Sequence, residues 1–359
     1  MYNSNLLLTP LPHDETYGYW VSPTVEFAGK TERLEVMGRV AADFVSYYGG
    51  QQTQFTNVFL PLNLKYKTED DLLSFTGGFA RDNTLMSELL TTGLVLRFTQ
   101  RNQWTANPSW TRNITKKLSF QSGFQFSDTT YENGLQLGLV DYQLFGATGG
   151  LLYHMTEKDQ IQLSGSYMDF HTTNSPSPFR AIFPGVILNV THAFTETLTG
   201  TAYGGPRFVS STTQTINESA KIQNSVWLFG GSLTKKFERS SIQVNVDRDI
   251  VPSGFGLLIQ RDRAGLTVSH NVTETLAASF NGSGYLTSGI TTSSQGGTLA
   301  ENRYFYLTPK IAWKFREWWQ LEVSYTYSQR DADTFSDPAM SNVTMFMLTY
   351  YPPKLAFSN

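Results

Sequence analysis

Apolar and polar residues alternate along most of the chain with a period of two. In segment 319–330, every second position is apolar or aromatic: Trp319, Leu321, Val323, Tyr325 and Tyr327. Segments 118–127, 161–167 and 242–247 show the same alternation. Because successive side chains of a strand point to opposite faces, the pattern predicts strands with one apolar and one polar face. No segment of similar length has helical periodicity, so the sequence predicts an all-β fold.

Short charged turns recur between these strands. Eight of them begin near residues 30, 68, 115, 156, 195, 237, 273 and 316, about 41 residues apart on average. Longer polar segments lie between them, at 49–54, 83–89, 171–178, 210–223, 288–300 and 331–341. Tight turns on one side, long loops on the other and strands of about ten residues between them are typical of outer-membrane β-barrels.

The turns also set the number of strands. Two strands for each of the seven intervals between the eight tight turns, with one flanking strand at each end of the series, give sixteen strands. A strand over Tyr2–Pro10, followed by a short loop over Leu11–Thr16, and a closing strand over Asn342–Tyr351 raise the number to eighteen. We therefore predict one transmembrane antiparallel up-and-down β-barrel domain over residues 1–359. It has eighteen strands, with sixteen as the alternative, and its tight turns are periplasmic and its long loops extracellular.

Composition favours this barrel over a soluble β-sandwich or propeller. Charged residues make up 16% of the chain, against roughly 25% in soluble proteins, whereas aromatic residues reach 14%. Tryptophan side chains prefer the membrane–water interface because the ring is amphipathic. Six tryptophans near strand ends are candidates for aromatic girdles: Trp104, Trp110, Trp227, Trp313, Trp318 and Trp319. We expect the protein in the bacterial outer membrane, in contact with lipid and lipopolysaccharide.

Several classes of protein are excluded or disfavoured. The chain has no cysteine, which excludes disulfide scaffolds, iron–sulfur sites, thiol catalysis and covalent haem attachment. A net charge of -3 gives no support for a nucleic-acid partner. No metal-ligand spacing, phosphate loop or catalytic motif stands out, so we expect no cofactor and no enzyme. The first residues lack a secretory signal, which is either absent, already removed or lost by truncation.

If the apolar face contacts lipid, the polar face lines a lumen. The candidate lumen residues are Arg39, Asp43, Arg97, Arg101, Asp247, Arg261, Arg263 and Arg330. Two interpretations stay open. Arg97, Arg101, Arg261 and Arg263 bias a hydrated conduit toward acidic sugars, or the arginines pair with aspartates across strands because an unpaired charge beside a low-dielectric wall is costly. The loop Ser210–Gln223 either folds inward as a constriction or, as we prefer, extends outward.

Seven segments resemble the beta-barrel porin type 2 family: YNSNLLLTPLPH, WVSPTVEF, KTERLEV, RDNTLMSELLTTG, QWTANPSWTRNIT, LVDYQLFGATGGLLYHMTEKDQIQLSGSY and DRDIVPSGFGLL. The resemblance covers essentially the whole chain. It implies an 18-stranded barrel found near exopolysaccharide export or sorting systems, and a route for polymer across the outer membrane. It transfers no catalytic or binding residue. Two features depart from the family: residues that would complete the first strand are missing ahead of YNSN, and the chain continues past Tyr351 to Asn359.

We therefore expect a passive outer-membrane conduit for a polar polymer, with an exported polysaccharide as the preferred cargo and a periplasmic export protein as the partner. Two alternatives differ in kind. One is a general diffusion porin for small solutes. The other is a structural sleeve around a partner such as a multihaem cytochrome, in which the haem belongs to the partner. An outer-membrane hydrolase ranks last.

Overall fold

The computed structural model describes residues 1–10, 13–50, 52–89, 98–214, 219–290, 301–333 and 336–353. These contain twenty β-segments: β1 (Tyr2–Asn3), β2 (Thr16–Val21), β3 (Thr24–Lys30), β4 (Leu34–Gly49), β5 (Thr53–Lys67), β6 (Asp71–Asn83), β7 (Gln100–Asn113), β8 (Leu118–Tyr131), β9 (Asp141–His154), β10 (Asp159–Asn174), β11 (Phe179–Ile182), β12 (Gly185–Thr195), β13 (Leu198–Gln214), β14 (Ser219–Lys236), β15 (Ser240–Pro252), β16 (Leu258–Asn271), β17 (Leu276–Gly289), β18 (Asn302–Arg316), β19 (Trp319–Ala332) and β20 (Ala339–Tyr350). A π-helical turn (Leu85–Leu89) and a 3₁₀ turn (Gly134–Leu137) interrupt two loops. Neither helical turn of the described residues is long and apolar enough to cross a membrane.

The twenty segments occupy eighteen positions in a closed antiparallel barrel. β2 and β3 both pair with β4 and share one position, and β11 and β12 share another between β10 and β13. β1 closes the barrel, because Tyr2 pairs with Tyr17 of β2 and with Thr344 of β20. The prediction of eighteen strands is therefore confirmed. β3 pairs with β4 alone among the described strands.

The tight turns are built by one recurring threonine. In six of the eight turns, a threonine hydroxyl accepts a hydrogen bond from the backbone N–H three residues later, at 2.9–3.0 Å: Thr31, Thr68, Thr115, Thr156, Thr195 and Thr273. A hydroxyl that satisfies a backbone donor locally stabilises a turn without a partner from another strand. The repeated Thr-rich tetrads of the sequence therefore encode one side of the barrel.

The first predicted strand, Tyr2–Pro10, is wrong beyond Asn3. The Asn5 N–H donates to the Asn3 side chain over 2.8 Å, and the Asn5 amide donates to the carbonyl oxygens of Thr9 and Met340. These local bonds compete with a strand ladder and turn the chain inward. Asn5 and Leu8 are each only 1% exposed. The closing strand β20 begins at Ala339, three residues before the predicted Asn342.

Apolar side chains cover the outside of the barrel. Trp227, Val25 and Phe346 are each about two-thirds exposed and lie on the outer face of their strands. An apolar surface of this extent is unfavourable in water, whereas hydrocarbon solvates it, and a closed barrel leaves few unpaired backbone groups to lipid. The exterior thus supports the predicted place in the bacterial outer membrane.

The inner face is not polar throughout. At the loop end, a buried apolar core lies inside the barrel beneath the loops 132–140 and 253–257. Its members are Tyr131, Leu139, Tyr142, Leu144, Phe170, Phe179, Ala181, Phe183, Val209, Val226, Leu228, Leu258 and Ile290. We call this group the mouth core. It fills part of the loop-side opening.

The prediction of a loop over Ser210–Gln223 is wrong. Its residues pair as a two-stranded extension of β13 and β14, from Ser210 opposite Gln223 to Gln214 opposite Ser219. Thr212, Thr213 and Ile222 are β-branched, which favours a strand over a loop. Residues 215–218 lie outside the described part of the chain. Other segments narrow the mouth instead.

Candidate functional site

A continuous polar surface lines the inner face of β15–β19. Cross-strand pairing places twenty positions in four rows, and all of them are polar, Tyr or Gly. They are Ser241, Gln243, Asn245 and Asp247 on β15; Ser269, Thr267, Gly265 and Arg263 on β16; Ser279, Asn281, Ser283 and Tyr285 on β17; Lys310, Thr308, Tyr306 and Tyr304 on β18; and Ser324, Thr326, Ser328 and Arg330 on β19. We call this surface the polar wall. The polar wall arises because side chains alternate between the two faces of each strand, and the apolar ones lie on the lipid-facing side.

The hydroxyl groups of the polar wall bond to one another across strands. The Ser241 and Ser269 hydroxyls are 2.7 Å apart, and those of Thr308 and Thr326 are 2.9 Å apart. A cavity of about 360 Å³ opens on the wall, and its polar lining includes Asn281. Hydroxyl and amide groups both donate and accept hydrogen bonds, so this surface can exchange partners with a hydroxyl-rich solute.

Three tyrosines stand above this cavity, toward the loop end. The ring centroids of Tyr285 and Tyr304 are 5.9 Å apart with an interplanar angle of 20°, and Tyr285 and Tyr306 are 6.4 Å apart at 25°. The Arg261 guanidinium lies 5.9 Å from the Tyr285 ring centroid. Offset aromatic pairs and a cation at a ring face are favourable arrangements. We call these three rings the tyrosine stack. Tyr304 is only 3% exposed, so the half-buried Tyr285 and Tyr306 are the rings that present apolar area within the polar surface.

The predicted lumen arginines are neutralised by aspartates on neighbouring strands. Arg263 Nε donates to Asp247 Oδ1 over 2.8 Å, and Arg261 Nη2 donates to Asp249 Oδ2 over 2.8 Å. On β7, Arg101 binds Asp82 with two hydrogen bonds of 2.9 and 2.7 Å. Of the two interpretations, the structure therefore favours cross-strand pairing for these three arginines. For these three arginines the expected bias toward acidic sugars loses its basis, because each charge is balanced by an aspartate and the side chains of Arg101 and Arg261 are only 12% exposed.

Removing the aspartates should expose the charge of their arginines. We expect the double variant Asp247→Asn/Asp249→Asn to shift the barrel toward anion selectivity, because Arg263 and Arg261 lose their counter-charges. The reversal potential of a planar bilayer under a potassium chloride gradient measures this shift. The control variant Asp262→Asn removes an acid that pairs with Arg248 on the outer face of the barrel, so its reversal potential should stay near that of the wild type. An unchanged reversal potential in the double variant would contradict a role for these pairs in selectivity.

The other candidate lumen residues are placed separately. Arg39 and Asp43 lie on the inner face of β4, and Arg39 is opposite Glu26 of β3. Within the described residues, neither has an oppositely charged partner within 4.0 Å. The register places Glu26 opposite Arg39, so these two charges attract each other over a longer distance. Arg330 is 2% exposed, and its Nε donates to Asn302 Oδ1 over 2.9 Å. Arg97 lies outside the described residues. Contact of these side chains with a solute remains a proposal.

The candidate girdle tryptophans lie at both ends of the barrel wall. Trp313, Trp318 and Trp319 are 37–49% exposed and lie near a tight turn. Trp104 and Trp227 are 55% and 66% exposed and lie nearer the loops. Trp110 is half-buried, and its indole N–H donates to Asp71 over 2.9 Å. These positions are compatible with two interfacial belts, and the girdle role stays a prediction.

A buried glutamate anchors a segment that narrows the loop-side mouth. Glu88 lies in the π-helical turn and is 3% exposed. Its carboxylate accepts hydrogen bonds from the Tyr131 hydroxyl and, over 3.3 Å, from the Gly254 N–H. Burial raises the pKa of Glu88 above its ordinary value, although the bond from Tyr131 and the charge of Arg101 oppose the shift. The carboxylate thus joins segment 84–89, strand β8 and loop 253–257.

The next residue reaches the other side of the mouth. Leu89 packs with Leu8 and Ala339 against the tyrosine stack. Residues 85–89, which we call the mouth segment, therefore connect the mouth core with the loop-side end of the polar wall. Sequence analysis missed this element. The available signal was composition, because loops 84–89 and 253–258 carry more apolar residues than a solvent-exposed loop needs.

Across the residues that the structure describes, no group of three or more His, Asp or Glu side chains could hold a metal ion.

Comparison with known proteins identifies the fold. No family model matches the chain, and no curated protein matches it. Solved outer-membrane proteins are similar: the alcaligin outer-membrane receptor FauA from Bordetella pertussis (TM-score 0.51, 13% identity, 96% of this chain and 67% of that chain), the ferric citrate transporter FecA (0.53, 10%, 92% and 59%) and the FrpB iron transporter from Neisseria meningitidis (0.53, 10%, 92% and 63%). The chain spans about two-thirds or less of the length of these structures. At such low identity the likeness concerns the fold alone, and the chain has the fold of a bacterial outer-membrane β-barrel.

Proposed function

We propose that the protein is a passive conduit for a polar polymer across the bacterial outer membrane. The preferred cargo is an exported polysaccharide, and a periplasmic export protein would deliver it. The polar wall carries this proposal, since its twenty positions are polar, Tyr or Gly. The resemblance to the beta-barrel porin type 2 family, with its link to exopolysaccharide export, supports the same cargo.

The chemistry of the wall suits a sugar chain. A sugar presents hydroxyl groups at its rim and C–H groups on its ring faces. Serine, threonine and asparagine side chains of the wall can bond to the hydroxyl groups, and the rings of Tyr285 and Tyr306 can contact the C–H faces. Because Arg261 and Arg263 are paired with aspartates and Arg330 is only 2% exposed, we propose neutral rather than acidic sugars as the preferred cargo.

The two alternatives make different demands on the lumen. A general diffusion porin needs an open path but no aromatic faces along it. A sleeve around a cytochrome needs room for a protein, and the mouth segment and mouth core occupy part of that room. The structure therefore favours a conduit for a thin, flexible chain over a sleeve. Block of ion current by sugars separates the conduit from a porin.

Block of ion current by sugars tests the proposal. With the purified barrel in a planar bilayer, neutral oligosaccharides are added on the tight-turn side, from which they reach the polar wall without passing the mouth. We expect current block, and we expect the half-blocking concentration to rise about fivefold or more in Tyr285→Ala/Tyr306→Ala, since stacking contacts contribute about 1 kcal/mol each. Tyr285→Phe/Tyr306→Phe is the matched control and should retain most of the block.

Three outcomes would contradict the proposal. Polyethylene glycol of equal size that blocks as well as the oligosaccharide indicates a general diffusion porin. Haem absorbance in material that co-purifies with the barrel from the native membrane indicates a sleeve. Unchanged polysaccharide secretion in a deletion strain removes the export role, whereas restored secretion with the wild type but not with the tyrosine double variant supports it.

A further inference from the structure

Two cross-strand positions on the outer face of the barrel carry opposite charges at the loop end, just above the apolar belt. Arg248 on β15 lies opposite Asp262 on β16, and Arg303 on β18 lies opposite Asp331 on β19. Closer to the tight turns, the outer face of β15 carries Val246, followed by Val244 and Ile242. The charged positions therefore begin where the apolar exterior ends.

Three exterior arginines share one geometry. In each, Nε and Nη2 donate to a carboxylate: Arg248 to Asp262 at 2.6 and 2.8 Å, Arg180 to Asp169 at 3.0 and 2.5 Å, and Arg303 to Glu301 at 3.2 and 3.1 Å. Within the described residues, no protein group accepts a hydrogen bond from their Nη1 atoms. The side chains of Arg180 and Arg303 are 60% and 68% exposed, so donors remain available outside the barrel.

A carboxylate on one edge of each guanidinium orients the other edge. A charged side chain is costly within hydrocarbon, so these pairs belong at the level of the lipid headgroups. Arginine binds phosphate through paired N–H groups, and a pre-oriented fork loses less side-chain entropy on binding. The outer leaflet of a bacterial outer membrane is built from lipopolysaccharide, whose phosphate groups lie at this level.

We infer that Arg180, Arg248 and Arg303, the exterior arginine row, form a binding surface for the phosphate groups of lipopolysaccharide. The surface lies on the outside of the wall and is independent of what passes through the lumen. The carboxylate partners Asp169, Asp262 and Glu301 set the direction of the free guanidinium edge and keep the row from attracting every anion equally.

Titration with lipopolysaccharide tests the row. Purified barrel in detergent is titrated with lipopolysaccharide, with the same material after dephosphorylation, and with phosphatidylglycerol. Bound molecules are counted by native mass spectrometry. We expect the apparent Kd for lipopolysaccharide to rise about fivefold or more in Arg180→Gln/Arg303→Gln, because charge-assisted phosphate bonds are lost. Arg112→Gln is the matched control, since Arg112 is a 55%-exposed exterior arginine near a tight turn.

The outcomes are distinct. Equal affinity of the double variant and the wild type overturns the inference, as does equal binding of dephosphorylated lipopolysaccharide. Equal binding of phosphatidylglycerol also overturns it, because the row would then be a general anionic surface. Should the glutamine variant fail to assemble, Arg180→Lys/Arg303→Lys keeps the charge without the fork, and weakened binding in that variant supports the inference, whereas unchanged binding contradicts it.

Discussion

Replacement of Glu88 by alanine should open the loop-side mouth and raise single-channel conductance about threefold or more, since two buried donors then lose their acceptor at about 1–3 kcal/mol each. These donors are the Tyr131 hydroxyl and the Gly254 N–H, which together hold the mouth segment. Once released, Leu89 no longer covers the tyrosine stack. Planar-bilayer recording of wild type and variant measures the effect.

Glu88→Gln is the matched control for this experiment. The amide oxygen still accepts from one donor, so its conductance should lie near that of the wild type. Tyr131→Phe removes one of the two donors and should give an intermediate value. Equal conductance in the wild type and in Glu88→Ala would show that the mouth segment does not limit passage.

The same carboxyl should make the mouth depend on pH. Burial raises the pKa of Glu88 in the folded barrel, so the protonated form is favoured there. The protonated Glu88 carboxyl therefore stabilises the folded mouth fully below the ordinary pKa of a glutamate. This stabilisation is lost as the pH rises through the raised pKa of Glu88. Asp82, Arg101, Tyr131 and Tyr142 also face this group. We expect the mouth to open more often as pH rises across this window, and Glu88→Gln to remove the dependence.

The largest loss of stability should follow Phe170→Ala. Phe170 is fully buried in the mouth core, with ring centroids 5.3 Å from Tyr142 and 5.9 Å from Phe179. Removal of a buried phenylalanine ring costs about 3–5 kcal/mol because the surrounding side chains fill the cavity only partly. We expect the free energy of unfolding in detergent, measured by guanidinium titration, to fall by that amount.

Phe208→Ala is the control for Phe170→Ala. Phe208 lies on β13 and is 55% exposed on the outer face, where detergent or lipid replaces the lost contacts. Its free energy of unfolding should change by no more than about 1 kcal/mol. Similar losses for the two variants would mean that the apolar residues inside the mouth do not act as a packed core. A large loss for Phe170→Ala alone shows that the barrel is stabilised partly from within.

Predictions from local pattern were the accurate ones. The outer and inner faces of β19 follow from a two-residue alternation, and the turns at Thr31 and Thr68 follow from a hydroxyl that bonds three residues ahead. Each depends on residues that are adjacent or nearly adjacent in sequence. The predicted strand over Tyr2–Pro10 was wrong for a reason that is also local. Short-range hydrogen bonds of Asn5 outweighed a weak alternation of apolar and polar residues.

Pairings between distant residues could not be predicted in the same way. The alternation showed that Arg101 and Arg263 shared a face with polar neighbours, but the choice of Asp82 and Asp247 as partners depends on register between strands. Register is fixed jointly by every strand of the barrel. The pairing of these arginines with aspartates, on which the proposal of neutral sugars rests, therefore needed the structure.

The sequence by itself determined the all-β barrel, its eighteen strands, its two faces and its tight turns, because these follow from period-two patterning and local turn bonds. The tertiary structure alone decided how the mouth is built. Glu88 contacts Gly254 across 166 positions of sequence, and Leu89 meets Leu8 across 81. Only closure of the barrel brings such residues together. Each contact depends on how distant strands are placed relative to one another, and the sequences of the loops do not encode that placement.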